Sequence, residues 1–540
     1  MARSIRQEPA ARRTGPVPAT ESRADARRPA DVPGRASTSR QVARGTLQLL
    51  SGQIAARLID FALYLILARS LPVEGFGLFT FALSFVLLFN VVADLGVSTV
   101  MTREVSRAPD RARALVGHAL VLKAGGGALA VVAILAAALA LGTRGEAFVL
   151  VAVCGASLAA RSTTLVFEGL LKATGRAGAV GTATFAGSLV GLATAGALLA
   201  AGIGPLAAAI AWGTGGLVHL SLSAWLARRL YARTPGAEAG APGAGTVRAP
   251  GGAPARALAA PPVLGRHAML REALPLALSW VFIALYFRID AVMLQFLSGE
   301  RAVGLYGGIY RIFEAFTMLA VAYRSVLFPV MARAADGPRE ALAVLCRKSI
   351  RLHLVFTIAV AVFVSFNARA LVTLVLGQRY ADAAPGLAIL VWALPGSFMA
   401  DTLLHLLIAQ RRQKLGTTAV SVTAALNIAL NVVLIPKYSF VGAAAATVAS
   451  EALCFVLLLG LFRRGAPAVG VARTVWRPLA AGGALAAAMA ALTPLVPSGP
   501  AGLAVGGAAA AAVYLAALVA LGALTRDDLV LARSIFKREA

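Results

Sequence analysis

The sequence predicts an all-α polytopic membrane protein, and three observations carry that expectation. Of its 540 residues 59% are hydrophobic and only 14% charged, whereas a soluble domain carries roughly 25% charged residues. Apolar stretches of about 18 to 26 residues recur with brief polar interruptions, and each is long enough as a helix to cross a ~30 Å hydrocarbon layer. Lys and Arg outnumber Asp and Glu by 51 to 24, a formal net charge of +27. In a lipid-embedded chain such an excess serves topology, so no nucleic-acid partner is expected.

Residues 1–44 hold ten Arg and four acids among Pro, Ala, Ser and Gly, which reads as a disordered basic tail on the cytoplasmic side without the apolar core of an export signal. Six spans follow in 45–230, at about 45–68, 78–100, 115–140, 147–170, 179–201 and 205–227. Residues 231–265 interrupt the series, and 24 of these 35 are Ala, Gly or Pro, a linker composition that cannot bury a core. Six more spans fill 266–463, at about 272–297, 304–330, 352–375, 385–409, 414–435 and 440–462. Two further spans, 478–495 and 502–524, lie in 464–525, and 526–540 is a second cytoplasmic tail. The expectation is therefore about fourteen transmembrane helices: two six-helix lobes around a central cavity, plus two C-terminal helices.

The positive-inside rule tests this segmentation, because wrongly merged spans would scramble the alternation of basic connections. With both ends inside, cytoplasmic segments hold 39 Lys plus Arg and the opposite connections hold 6. The two lobes also echo each other. Arg57-Leu-Ile-Asp60 precedes Gly77-Leu-Phe79 in the first, and Arg288-Ile-Asp290 precedes Gly304-Leu-Tyr306 in the second, as a duplicated transporter scaffold would.

Several chemistries are excluded. Cys154, Cys346 and Cys454 are too far apart for a metal knuckle or disulfide framework. The absence of any Gly-Lys dipeptide removes a P-loop lysine. Gly125, Gly126, Gly127 and Ala130 formally match a dinucleotide fingerprint but lie inside an apolar run, where helix packing is the simpler use; the same holds for Gly187 with Gly191 and Gly502 with Gly506. The longest connection opposite the cytoplasm has no room for the catalytic domain of a membrane polymerase or ligase, so the chain is not expected to be an enzyme. No cofactor is expected either.

Thirteen ionisable residues fall within the spans: Arg57, Lys123, Arg161, Arg288, Arg311, Arg324, Asp60, Asp94, Glu168, Asp290, Glu314, Asp401 and Glu451. Facing lipid they would cost on the order of 40 kcal/mol, at about 3 kcal/mol each. They must pair, snorkel or line a hydrated cavity. Arg57 with Asp60 and Arg311 with Glu314 are spaced i, i+3 and can neutralise each other on their own helix. Arg288 and Asp290 are about 200° apart around a helix and cannot, which makes Arg288 the first candidate for a cavity cation. Arg161 is the second, with Glu168 two turns on. Lys123 and Arg324, near cytoplasmic ends, read as snorkelling. Asp401 and His405 share a helical face and suit a polar pair, a proton relay or two metal ligands, but no third ligand has helpful spacing, so no metal site is assigned. His118 and His219 read as structural. Trp280, Phe282, Tyr286 and Phe287 are core or interface residues unless they border the cavity, where they would stack on sugars.

Several motifs carry a resemblance. Ala68-Arg-Ser-Leu-Pro-Val-Glu-Gly-Phe-Gly-Leu-Phe79, Tyr286-Phe-Arg-Ile-Asp290, Leu376-Gly-Gln-Arg-Tyr380 before Ala384-Pro385, and Leu426-Asn-Ile-Ala-Leu-Asn431 with Ile435-Pro436 and Gly442-Ala-Ala-Ala-Ala-Thr447 resemble, in order, segments of Wzx-type oligosaccharide flippases. These belong to the multidrug/oligosaccharidyl-lipid/polysaccharide exporter superfamily. The resemblance implies a multi-pass protein of the bacterial cytoplasmic membrane that moves an undecaprenyl-diphosphate-linked oligosaccharide between leaflets by alternating access. Its partners would be the lipid-linked oligosaccharide, membrane lipids, and a polysaccharide polymerase and glycosyltransferases. It points to Arg57 and Arg288 as cavity cations; Arg161 and Arg311 are added as candidates by their positions within the spans. Asp60, Asp290, Asp401 and Glu451 are cavity acids or sites of Na+ or H+ coupling. Lipid II flippases have Arg and Asp adjacent in the first span, whereas two residues intervene here, which argues against that cargo. The alternatives are a cation-coupled multidrug antiporter on the same scaffold and a membrane assembly scaffold without transport.

Overall fold

A computed structural model describes residues 35–232, 264–464, 470–495 and 499–523, which are helical with short connections. Expectations placed on 1–34, on 233–263 of the linker and on 524–540 lie outside the described residues. The first lobe comprises α1 (Arg35–Ser70), α2 (Val73–Leu88), α3 (Asn90–Asp94), α4 (Val97–Arg107), α5 (Ala112–Ala140), α6 (Gly145–Ala173), α7 (Ala177–Ala200) and α8 (Leu206–Ala232). The second comprises α9 (Arg266–Ser298), α10 (Glu300–Ala335), α11 (Arg339–Leu376), α12 (Ala384–Leu390), α13 (Ala393–Ala409) and α14 (Gln413–Arg463). Then come α15 (Val471–Leu492) and α16 (Pro500–Ala520), whose apolar faces close the second lobe's core through Leu485, Met489, Tyr514 and Leu518.

Among the described residues ten helices are long and apolar enough to cross a membrane, or twelve if two bent pairs each count as one span. The difference from fourteen has two physical causes. Arg311 and Glu314 sit in the middle of α10 and lower its apolarity. As a single rod the 51 residues of α14 would reach about 76 Å, more than twice the hydrocarbon layer. Instead α14 doubles back at Ser439, where φ is 52° and ψ −136°. Across the fold Asn427 Nδ2 donates to Ser450 Oγ at 3.2 Å, and a Cβ on Gly442 would meet the Leu434 carbonyl. The eleventh and twelfth spans are thus an antiparallel hairpin.

The second span is broken. Leu95 and Gly96 both adopt left-handed backbone, with φ of 50° and 70°, which for a leucine costs about 1 to 2 kcal/mol. The segment 90–107 that contains this break is bent from α2 by 44°, with the bend at Phe89. The span's two halves reach the second lobe at different depths. At one end α2 crosses α10 where Gly77 and Gly304 lie so close that a Cβ on Gly77 would strike the Glu300 carbonyl, and one on Gly304 the Val73 carbonyl. These are equivalent positions of the sequence echo, so the duplicated motifs pack against each other across a local pseudo-twofold axis. Phe76, Phe79, Tyr306 and Tyr380 are buried in the cluster around this crossing. At the other end Gly96 backs onto the Ala273 carbonyl of α9.

Gly126, Gly127, Gly187 and Gly191 pack closely against neighbouring helices, whereas a Cβ on Gly125 would meet open space. A Cβ on Gly187 would lie 2.7 Å from the Gly215 carbonyl, and one on Gly126 3.0 Å from the Val92 carbonyl. Gly502 and Gly506 instead border a gap of about 650 Å³ between α11 and α16. Cys154, Cys346 and Cys454 are free, buried thiols.

Candidate functional site: two adjoining polar cavities

Between α1, α7 and α10 lies a cavity of about 470 Å³ lined by Arg57, Asp60, Tyr64, Arg311 and Glu314 among others. The two i, i+3 pairs predicted here behave differently. Arg311 Nη1 bonds Glu314 Oε2 at 2.5 Å and its guanidinium lies 3.7 Å from the Tyr64 ring centre. Arg57 and Asp60 are exposed to the cavity, and no hydrogen bond or ion pair joins Arg57 to Asp60 or any other described residue. Exposure explains the contrast. A hydrated pair gains little by closing, whereas Arg311, with its side chain 13% exposed, needs a counter-charge.

Arg288 approaches from α9. Its Nη2 stands 3.9 Å from Glu314 Oε1 with its side chain 25% exposed, close enough for attraction and too far for a hydrogen bond. Glu314 therefore serves two arginines. Asp290 turns the other way, as two residues of separation require. It is buried and accepts from the Tyr306 hydroxyl at 2.5 Å and the Ala291 N–H at 2.8 Å. Arg288, Asp290 and Arg311 share the wall of a small gap between the helices.

A second cavity, about 770 Å³, opens between α3, α4, α6 and α9. Asn90, Asp94, Ser98, Thr102 and Arg103 line one side, Glu168 and Lys172 a second, and Trp280, Phe287 and Arg288 a third. Arg288 thus joins the two cavities. Of the four aromatics weighed for stacking, Trp280 and Phe287 border the space; Tyr286 has its hydroxyl buried. Sequence reasoning counted Asp94 among the charges within the spans but assigned nothing to Ser98 or Thr102. The available signal was the i, i+4, i+8 spacing of Ser98, Thr102 and Ser106 on one face.

Other expected site residues are placed elsewhere. Arg161 donates to the Trp212 carbonyl at 2.8 and 3.3 Å and lies 4.3 Å from the centre of the Trp212 ring. The carbonyl and the ring face hold the guanidinium against α8, within electrostatic reach of Asp60 and Tyr64 in the cavity wall. Glu168 pairs with Lys172 at 2.7 Å and His219 at 3.3 Å, so it is not Arg161's counter-charge. Lys123 does not snorkel. Its ammonium is fully buried, bonding Asp94 and, at 2.9 Å each, the Ser162 carbonyl and hydroxyl. Nor does Arg324, which pairs with Asp401 at 2.7 Å, with His405 3.6 Å away. Asp401 is thereby a partnered acid rather than a free one. Glu451 is buried, and Gly396 of α13 packs against its backbone.

Helices long enough to span a membrane, packed around two adjoining polar cavities, define a polytopic membrane protein with room for a polar ligand. More closely, the chain belongs to the polysaccharide biosynthesis protein family, whose profile matches residues 42–335. A profile for the lipid II flippase MurJ matches 265–499. Among solved structures, the lipid II flippase MurJ in an inward closed conformation is similar at a TM-score of 0.64 and 12% identity, covering 87% of this chain and 98% of its own. An inward-facing multidrug resistance MATE family transporter of the MOP superfamily reaches 0.58 at 16% identity, over 76% of this chain and 95% of its own. A Vibrio cholerae MATE transporter reaches 0.53 at 15% identity, over 79% of this chain and 98% of its own. These likenesses show the fold. An uncharacterized membrane protein of Methanocaldococcus jannaschii, MJ1068, is 24% identical over 162 residues, which is 30% of this chain and 32% of that protein. The match thus spans about a third of this curated relative's length.

Proposed function

We propose that the chain carries a polyprenyl-diphosphate-linked oligosaccharide from the cytoplasmic to the outer leaflet of the bacterial inner membrane by alternating access. The observation that carries this reading is the charge balance at the lobe interface. Arg57, Arg288 and Arg311 converge there on two carboxylates, Asp60 and Glu314, with Arg57 unbonded and Arg288 only loosely held. A diphosphate supplies the missing negative charge. A cationic drug would meet the excess of guanidinium groups, so the arrangement speaks against the multidrug antiporter.

The lipid tail stays in the bilayer while the lobes rock about the α2–α10 crossing. Asp290 is the acid best suited to couple a Na+ or H+ gradient, because it is buried against a hydroxyl and a backbone N–H with no cation in ion-pair contact. Cytoplasmic termini, and a polymerase and glycosyltransferases as partners, complete the reading. Lipid II is the less fitting cargo, since the first span separates Arg57 from Asp60 by two residues.

Arg288→Ala is expected to abolish surface glycan export while folded protein persists in the membrane, with lipid-linked intermediates accumulating on the cytoplasmic leaflet. Undiminished export would remove Arg288 from the mechanism. Normal translocation after neutralising both Arg57 and Arg288 would favour a scaffold without transport.

A further inference from the structure

We infer that the larger cavity is a separate carbohydrate subsite selective for neutral sugars; this rests on the diphosphate reading of the adjoining cavity and deepens it. Trp280 and Phe287 lie seven residues apart on one face of α9 and remain 54% and 48% exposed, although the aromatics at the α2–α10 crossing are buried. An indole and a phenyl ring held open to a hydrated space offer flat apolar faces of the kind that stack on the C–H faces of a pyranose.

Across the cavity the polar wall is chemically one-sided. Ser98 Oγ donates to Asp94 Oδ1 at 2.8 Å, Thr102 Oγ1 to the Ser98 carbonyl at 2.7 Å and Ser106 Oγ to the Thr102 carbonyl at 2.8 Å. Each hydroxyl has spent its only proton on the wall and keeps oxygen lone pairs. The row therefore accepts hydrogen bonds and suits a ligand rich in O–H donors.

Charge sets the class of sugar. Asp94 is paired with Lys123, Glu168 with Lys172 and His219, and Arg103 with Glu104 and Glu272. Only Arg288, at the boundary with the phosphate cavity, lacks a bonded counter-charge. A hexuronate would bring a carboxylate to a wall whose one unbonded cation, Arg288, is taken by the diphosphate, while a hexose or N-acetylhexosamine would bring no charge. The volume of about 770 Å³ is that of an ordinary small-ligand pocket.

The test uses the full chain in lipid nanodiscs, titrated with farnesyl diphosphate and with the same lipid carrying a hexose, an N-acetylhexosamine or a hexuronate. At least one neutral sugar should bind tenfold or more tightly than the bare lipid, and the hexuronate should show no gain. In Trp280→Ala that ratio should fall to near one, in Thr102→Val it should fall several-fold, and in Trp280→Phe most of it should survive. Equal binding of all four ligands, or an unchanged ratio in both Trp280→Ala and Thr102→Val, overturns the subsite and leaves the phosphate reading intact. Absence of farnesyl diphosphate binding, or indifference of that binding to Arg57→Ala, overturns the parent reading and this inference with it.

Discussion

Removing the Asp94 carboxylate would leave the Lys123 ammonium sealed in the first lobe with only the Ser162 oxygens to hold it. Breaking a buried pair from one side costs about 3 to 5 kcal/mol, far more than the pair's net worth, because the surviving charge has no water to return to. Asp94→Ala should therefore lower the thermal midpoint of the detergent-solubilised protein sharply, and the double variant Asp94→Ala/Lys123→Met should recover most of the loss. Equal midpoints for the single and double variants would mean that the pair is hydrated. Arg57 presents the opposite case. Exposed and unbonded, it should tolerate substitution with little change in stability, and what it loses should appear in binding. The sequence identified both residues as charges inside spans, yet periodicity along one helix does not show which neighbour it faces.

At the scale of elements, the α2–α10 crossing is the most demanding contact between the lobes. Two glycines at echoing positions let the backbones approach to carbonyl contact, and no larger residue fits without separating the helices. Gly304→Leu should cost about 1 to 3 kcal/mol through overpacking, read as a lower unfolding temperature; an unaltered temperature would show the crossing to be compliant. The echo Gly77-Leu-Phe79 and Gly304-Leu-Tyr306 was visible in the sequence as a repeat. That the two copies pack on each other was not, because a repeat gives equivalence without giving the axis that relates its copies. The hairpin of α14 shows the same limit locally. Pro436 and the polar Lys437-Tyr438-Ser439 after it mark the boundary between spans, but the return of Gly442 onto Leu434 depends on the backbone at Ser439.

For the molecule as a whole, the lobes are bridged by ion pairs at two depths. Arg301 of α10 bonds Glu74 at 3.2 Å and Asp382 at 3.0 Å, beside the α2–α10 crossing, and Arg103 of α4 pairs with Glu272 of α9 near the other end. Alternating access requires these closures to open in turn. Exposed pairs are worth about 1 kcal/mol at most, so Arg301→Glu should shift the population of the outward-open form by roughly fivefold. Ser84 of α2 is buried beside Arg288 and Asp290 in the gap between the helices; a membrane-impermeant maleimide should then label Ser84→Cys faster from outside, with Glu74→Arg/Arg301→Glu restoring the slow rate, and unchanged labelling would deny Arg301 a part in closure. The sequence by itself determined that this is a helical membrane protein and where its helices run. Hydrocarbon thickness and the cost of charge in lipid act on each stretch alone, so those features can be read one segment at a time. Only the tertiary structure decided which buried charges are spent on each other and which are left for a ligand. Lys123 with Asp94 and Arg324 with Asp401 each join different helices, while Arg288 stays loosely held across from Glu314, and such partnerships depend on how the helices rotate and pack, which no stretch of sequence specifies on its own.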